Sequence, residues 1–339
     1  MNPEDVARYP LPGTASPISL AFSPDDNILS YLHAEGGQMT RQLWGVDVNT
    51  MVKQQLFVPP NDGDTEENLS LDEKLRRERQ RLHAVGVTSY FWSSRGSAAT
   101  RIMVPLQGNV YVQDGIDTST LRAVYDKAGS GGGSGALDPQ LSPDGRLVAF
   151  VKDGEIFVVP VDVPTGRAAA PVQLTFGARE GVTHGLADFV AQEEMDRFRG
   201  FWWSLDSRSI AFTEVDESHI PPFRIMHLGE DTIDEDHYYP FAGKENPKVR
   251  LAVIQVDRAA IEQGTGCPTE ATWAPVWMDV LGGGLSNTPA APPAAATAAA
   301  QQTSPVHAWN FEGRGSPAPE RPGGGAGGAR PGPAATGTT

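Results

Sequence analysis

An all-β fold, a partial β-propeller of about four to five blades with two helical insertions, is what the sequence predicts. Three observations carry that prediction. A turn that runs straight into a strand recurs four times, with its serine at positions 23, 93, 142 and 204. The intervals of 70, 49 and 62 residues each hold one four-stranded blade of about 40–50 residues plus an insertion. After each first strand comes a second short one with period-2 patterning, as in residues 108–115 (GNVYVQDG) and 154–162 (GEIFVVPVD). A β-sandwich is the competing all-β reading. Four aligned units favour the propeller, because such repeats bury their apolar faces on one another.

The first unit is Phe22-Ser23-Pro24-Asp25 before NILSYL, and the second is Trp92-Ser93-Ser94-Arg95-Gly96 before the strand near Arg101. The third, Leu141-Ser142-Pro143-Asp144-Gly145, precedes RLVAFV, and the fourth, Trp203-Ser204-Leu205-Asp206-Ser207, precedes SIAFTEV. Ser-Pro-Asp-Gly is sound turn chemistry, since Pro presets φ, Asp caps local backbone and Gly accepts positive φ. Residues 68–82 (NLSLDEKLRRERQRL) read as a helix, with Ser70 and Glu73 spaced as a capping box. Residues 188–199 (DFVAQEEMDRFR) read as a second helix, capped by Asp188 and stopped by Gly200. Helices inserted into a propeller tend to line an opening or carry a site.

Residues 129–135 (GSGGGSG) are expected to be a flexible tract, and the acidic run from Glu230 to Asp236 a solvated loop. The propeller is assigned to residues 1–280. Residues 281–339 are dominated by Ala, Pro, Gly and Thr and are expected to be disordered, having too little apolar side chain to offset ordering entropy.

A formal net charge of −15 argues against nucleic-acid and membrane partners, which want a basic face. Cys267 is the single cysteine, so an intrachain disulfide and a Cys-based zinc site are both excluded. The N-terminus lacks the pattern of a secretory signal and no apolar run of about 18 residues occurs, so a cytoplasmic protein is expected. There is no Gly-x-Ser-x-Gly elbow, no His-Glu-x-x-His and no phosphate-binding loop. The expectation is therefore no cofactor, no metal and no catalytic residue within these 339 residues.

The strongest local feature is Asp188-Phe189-Val190-Ala191-Gln192-Glu193-Glu194. Two adjacent carboxylates repel, and a cation between them removes that penalty; an ammonium with three N–H donors suits the task. A plain alternative is a solvated helix in which Glu193 pairs with Arg197 at i+4.

The motif Asp-aromatic-Val-x-x-Glu-Glu is followed by Arg-Gly-Phe-Trp-Trp-Ser (199–204) and Phe-Thr-Glu-Val-Asp-Glu-Ser-His-Ile-Pro (212–221). Tyr239-Pro240-Phe241-Ala242-Gly243 and Asn246-Pro247-Lys248-Val249-Arg250-Leu251 continue the pattern. Together these segments resemble the dipeptidyl peptidase IV family of the prolyl oligopeptidase clan, over roughly residues 8–258. The resemblance implies an eight-bladed propeller type whose double glutamate binds the free N-terminal amine of a peptide. Carried over, Glu193 and Glu194 take that role, limiting cleavage to N-terminal dipeptides, preferentially after proline or alanine. Residues 75–82 (LRRERQRL) resemble the family's arginine-bearing segment, which implies Arg79 or Arg81 as the donor to a substrate carbonyl. His219, inside the matched segments, reads as structural.

The resemblance also implies a serine, aspartate and histidine in a C-terminal hydrolase domain that these residues do not contain. Similarity fades after about Asp257. The functional expectation is the N-terminal propeller of a dipeptidyl aminopeptidase-like serine peptidase. The alternatives are a non-catalytic propeller remnant that binds peptide or protein, and an incomplete gene model. Open propeller edges imply a second copy or another chain that covers them.

Overall fold

The computed structural model describes residues 3, 16–35, 40–60, 71–80, 85–129, 134–162, 170–226, 234–265 and 267–280. Within them the four repeat units become four consecutive antiparallel sheets. The first holds β1 (Ile18–Phe22), β2 (Ile28–His33), β3 (Thr40–Asp47) and β4 (Lys53–Phe57), with β5 (Val85–Gly86) added in parallel to β3. The second is β6 (Phe91–Trp92), β7 (Arg101–Leu106), β8 (Asn109–Asp114) and β9 (Arg122–Tyr125). The third is β10 (Leu137–Leu141), β11 (Leu147–Lys152), β12 (Glu155–Pro160) and β13 (Val172–Gln173).

In the fourth sheet β16 (Ser209–Asp216) pairs with β14 (Val182–His184), β15 (Phe201–Trp203) and β19 (Lys248–Gln255), and β20 (Val276–Met278) adds to β19. A separate hairpin, β17 (Pro222–Met226) with β18 (Asp234–Tyr238), branches from this blade. Three short α-helices, α1 (Leu71–Arg79), α2 (Phe189–Glu194) and α3 (Arg258–Gln263), and a 3-10 turn at Thr118–Thr120 complete the described elements.

The repeated serines explain the repeated sheets. Ser23, Ser93, Ser142 and Ser204 are all buried, and each hydroxyl oxygen accepts the backbone N–H that opens the next strand. The donors are Ile28 (2.9 Å), Arg101 (3.0 Å), Leu147 (3.0 Å) and Ser209 (2.9 Å). Three residues after each serine the chain takes positive φ, at Asp26, Gly96, Gly145 and Ser207. Consecutive turns are also joined. Arg95 pairs with Asp26, the Ala98 N–H donates to the Asp144 carbonyl (3.0 Å), and the Asp144 N–H donates to Ser207 Oγ (3.0 Å).

The apolar cores lie between neighbouring sheets. Ile102, Val104 and Leu106 of β7 pack with Leu32, Leu43 and Leu56 of the first sheet, while Met103 faces the third. On β11, Val148 and Phe150 face back toward the second sheet and Leu147, Ala149 and Val151 face the fourth. Successive side chains leave a strand on opposite faces. A strand covered on both sides therefore reads as a continuous apolar run, which is why RLVAFV does not alternate. Blades packed face to face in chain order are the arrangement of a β-propeller.

Two expectations need correction. The second helix ends at Glu194, not at Gly200. Asp196 takes the left-handed conformation (φ 50°) and the Arg197 N–H returns to the Ala191 carbonyl (3.0 Å), which closes the helix early. Gly200 serves close packing instead, since a Cβ there would meet Gly185 C at 2.4 Å and Leu186 N and C at 2.5 Å. Asp234, Glu235 and Asp236 are also not in a loop but in β18, where register sets Asp236 opposite Arg224 in a two-pronged ion pair at 2.8 Å. Gly131 to Gly133 of the glycine tract, Ser70, and residues 281–339 lie outside the described residues. No helix among the described residues is long and apolar enough to cross a membrane.

Candidate functional site

The two helical insertions meet. Arg76 of α1 donates to the buried Asp138 at the start of β10 (2.9 Å), and Arg199, just after α2, approaches the same carboxylate (3.7 Å). Gln140 also donates to Asp138 (2.9 Å) and to the Phe201 carbonyl (3.1 Å). Burial raises the Asp138 pKa, opposed by the two guanidiniums. Glu73, four residues before Arg77, accepts its Nε–H (3.1 Å). With α1 held in this way, Arg79 stacks its guanidinium over the Phe189 ring, 4.8 Å from the centroid.

The second helix is fixed from both ends. Asp188 caps it by accepting the Ala191 N–H (2.9 Å). Phe189 packs edge-on against Tyr239 at 5.4 Å, Tyr239 in turn meets Phe241 at 5.6 Å, and Ala191 is buried. Arg197 folds back onto Asp188, its Nη2 donating to Oδ2 at 2.9 Å. The expected alternative pairing of Arg197 with Glu193 is thus not made, because Arg197 is committed to the cap. Among the described residues Glu193 and Glu194 have neither a hydrogen-bond nor an ion-pair partner; Glu193 is half-buried and Glu194 exposed.

Arg81, the other arginine expected to meet a substrate carbonyl, lies outside the described residues. His219 Nε2 faces the Asn246 carbonyl (3.1 Å) and Glu245 (3.6 Å), joining the loop after β16 to the segment before β19. Among the described residues no cluster of three or more His, Cys, Asp or Glu side chains is arranged to hold a metal ion. A depression of about 640 Å³ lies elsewhere, between Asp144, Asp206, Arg208, Asp257, Arg258 and Glu262. Two of its carboxylates already have a cation in Arg258, 2.9 Å from Asp144 and 3.7 Å from Glu262.

Sequence reasoning missed two features. Glu217 sits at the turn after β16 beside Asp188 and Arg79, with one buried carboxyl oxygen lacking a partner. Nothing in FTEVDES marks that glutamate from its neighbours. The other is a chain of charge running out from the core, in which the buried His184 contacts the buried Glu155 (2.8 Å) and the half-buried Glu214 (3.2 Å), and Glu214 accepts from Arg250 (2.9 Å).

Residues 95–278, more than half of the chain, match the family described as the dipeptidyl peptidase IV (DPP IV) N-terminal region. The chain belongs to this family. The match runs past Asp257, where the recognisable motifs fade, because β20 at residues 276–278 still belongs to the fourth blade. Human dipeptidyl peptidase 8 is 28% identical over 207 residues, covering 56% of this chain and 23% of that protein. Human prolyl endopeptidase FAP is 31% identical over 119 residues, 33% of this chain and 15% of that protein. The crystal structure of Porphyromonas gingivalis dipeptidyl peptidase 4 aligns with a TM-score of 0.47 at 23% identity, covering 70% of this chain and 31% of that one. The chain therefore spans less than a quarter of the length of human dipeptidyl peptidase 8. Within this DPP IV N-terminal region, α2 and its double glutamate fall inside the matched residues and α1 falls before them.

Proposed function

We propose that Glu193 and Glu194 form a clamp for the free N-terminal ammonium of a peptide, as part of a dipeptidyl peptidase-like protein. The observation that carries this reading is the commitment of Arg197 to Asp188 at 2.9 Å. It leaves two neighbouring carboxylates without a cation among the described residues, on a helix held by the fold. An ammonium donates three hydrogen bonds, enough to engage both carboxylates while removing their mutual repulsion. Arg79 or Arg81 then donates to a backbone carbonyl of the same peptide, a task suited to a rigid guanidinium fork.

An anchored N-terminus fixes how far the chain reaches toward a nucleophile. Release of X-Pro or X-Ala dipeptides is the reaction that such a register serves. The same clamp without a nucleophile is a peptide-binding module, and assay of dipeptide release separates the two readings. The first and fourth blades expose Leu20, Phe22, Val276 and Met278, and a second copy or another chain covering these edges fits the propeller's need to bury both faces of a sheet. Cytoplasmic residence is part of the proposal and fits the single Cys267.

Calorimetric titration of the chain with an Ala-Pro dipeptide tests the clamp. Glu193→Ala and Glu194→Ala should each weaken binding at least tenfold with the fold intact. Unchanged affinity in both variants contradicts the assignment.

A further inference from the structure

We propose that Glu217 is a positioning residue that joins the two inserted helices, its carboxyl group setting the placement of α2 and therefore of Glu193 and Glu194. This inference rests on the amine-clamp reading and adds a third carboxyl to it.

The placement is fixed by the backbone. The Glu217 N–H donates to the Gly181 carbonyl (2.6 Å) and its own carbonyl accepts the Ile220 N–H (2.8 Å). That turn carries the side chain beneath the start of α2, where the Phe189 N–H faces the carboxyl group. Arg79 from α1 and Asp188 at the α2 cap are its charged neighbours, and Tyr238 from β18 feels its charge as well. The same two elements meet a second time through Arg79 over Phe189. Glu217 thus meets the Phe189 N–H of the second insertion and lies within electrostatic reach of the first insertion and of the hairpin strand.

Its chemistry follows from these neighbours. One carboxyl oxygen is buried without a partner, which costs far more for a charged group than for a neutral one. Burial first, then the negative charge of Asp188, push Glu217 up to about 7, against the pull of Arg79 and the Phe189 N–H. The group therefore titrates within the neutral range. In the protonated form Asp188 faces no second negative charge and remains free to cap α2 and hold Arg197. Ionisation sets a charge against Asp188 and competes for Arg79, loosening the helix that presents the clamp.

The test compares wild type, Glu217→Gln and Glu217→Ala, using the 339-residue chain at pH 6 and pH 8. Gln copies the neutral carboxyl and cannot ionise. In titrations with Ala-Pro dipeptide, E217Q should match wild type at pH 6 and bind at least threefold more tightly at pH 8; titration of the peptide's own amine cancels in this ratio. E217A should bind more weakly than E217Q at both. Hydrogen exchange of the α2 amides needs no ligand, and its protection relative to E217Q should fall about threefold in wild type between the two pH values. Parallel profiles for wild type and E217Q in exchange overturn the proposal, as does an E217A variant indistinguishable from wild type. If no variant binds dipeptide while the exchange difference appears, the clamp reading has failed and the positioning role of Glu217 stands.

Discussion

Arg197 reaches nine residues back to donate to Oδ2 of Asp188 across 2.9 Å, while Oδ1 of the same carboxylate caps α2 through the Ala191 N–H, and the contact holds Arg197 away from Glu193. Adjacent carboxylates on a surface helix are ordinary when a neighbouring arginine neutralises them. Here that arginine pairs with Asp188 instead, and the two glutamates have no ion-pair partner among the described residues.

Asp188→Asn separates the two jobs of this residue. Asparagine still caps a helix, so the loss of stability should stay near or below about 1 kcal/mol. The ion pair with Arg197 is lost, however, and the released guanidinium can swing toward Glu193. Dipeptide affinity should therefore fall about fivefold while the denaturant midpoint hardly moves. Calorimetry and urea unfolding on the same sample check both halves.

The seam between the third and fourth blades should respond to pH through His184. Burial alone would lower its pKa, but hydrogen bonds to Glu155 and Glu214 outweigh burial and hold it raised. A histidine raised in the folded state contributes its stability in full below the unfolded value of about 6.5 and loses it as pH rises through the folded value. Unfolding followed from pH 6 upward should show a falling midpoint that flattens in His184→Gln. That substitution should itself cost on the order of 3–5 kcal/mol at pH 6, since it strips the buried Glu155 carboxylate of its cation, whereas Glu214 keeps Arg250.

The repeat turns should be sensitive to loss of one hydroxyl. Ser142 Oγ donates to Asp144 (2.6 Å) and accepts the buried Leu147 N–H (3.0 Å). Ser142→Ala leaves that N–H without a partner and should destabilise the chain by about 1–3 kcal/mol. The same substitution at Ser218, which is exposed, should change stability by less than about 0.5 kcal/mol.

Gly200→Ala should be worse than its size suggests. The atoms that a methyl would meet at 2.4–2.5 Å belong to the backbone of Gly185 and Leu186, which cannot move aside as a side-chain tip can. A loss of about 1–3 kcal/mol or more is expected, read as a lower thermal midpoint together with weaker dipeptide binding, because α2 and β15 are joined through this residue.

The blades were legible in the sequence because their turn chemistry is local. A serine, a residue able to take positive φ three places on, and an apolar run all sit within ten residues of one another. The Asp188 cap was legible for the same reason. What could not be read is set by contacts across long separations. Arg76 meets Asp138 across 62 residues and His184 meets Glu155 across 29. Glu217 gains its character only from α1 and α2 packing beside it. The end of α2 was misplaced because a non-glycine residue, Asp196, adopts the left-handed conformation that Gly200 was expected to supply.

The central claim, that Glu193 and Glu194 hold an N-terminal ammonium, is tested most directly by titrating the chain with Ala-Pro and with its N-acetylated form side by side. Acetylation removes the charge and two donors while keeping the rest of the peptide. The account predicts that the free-amine form binds at least tenfold more tightly, and that Glu193→Ala erases most of this difference. Equal affinities for the two forms in the wild-type chain would contradict it.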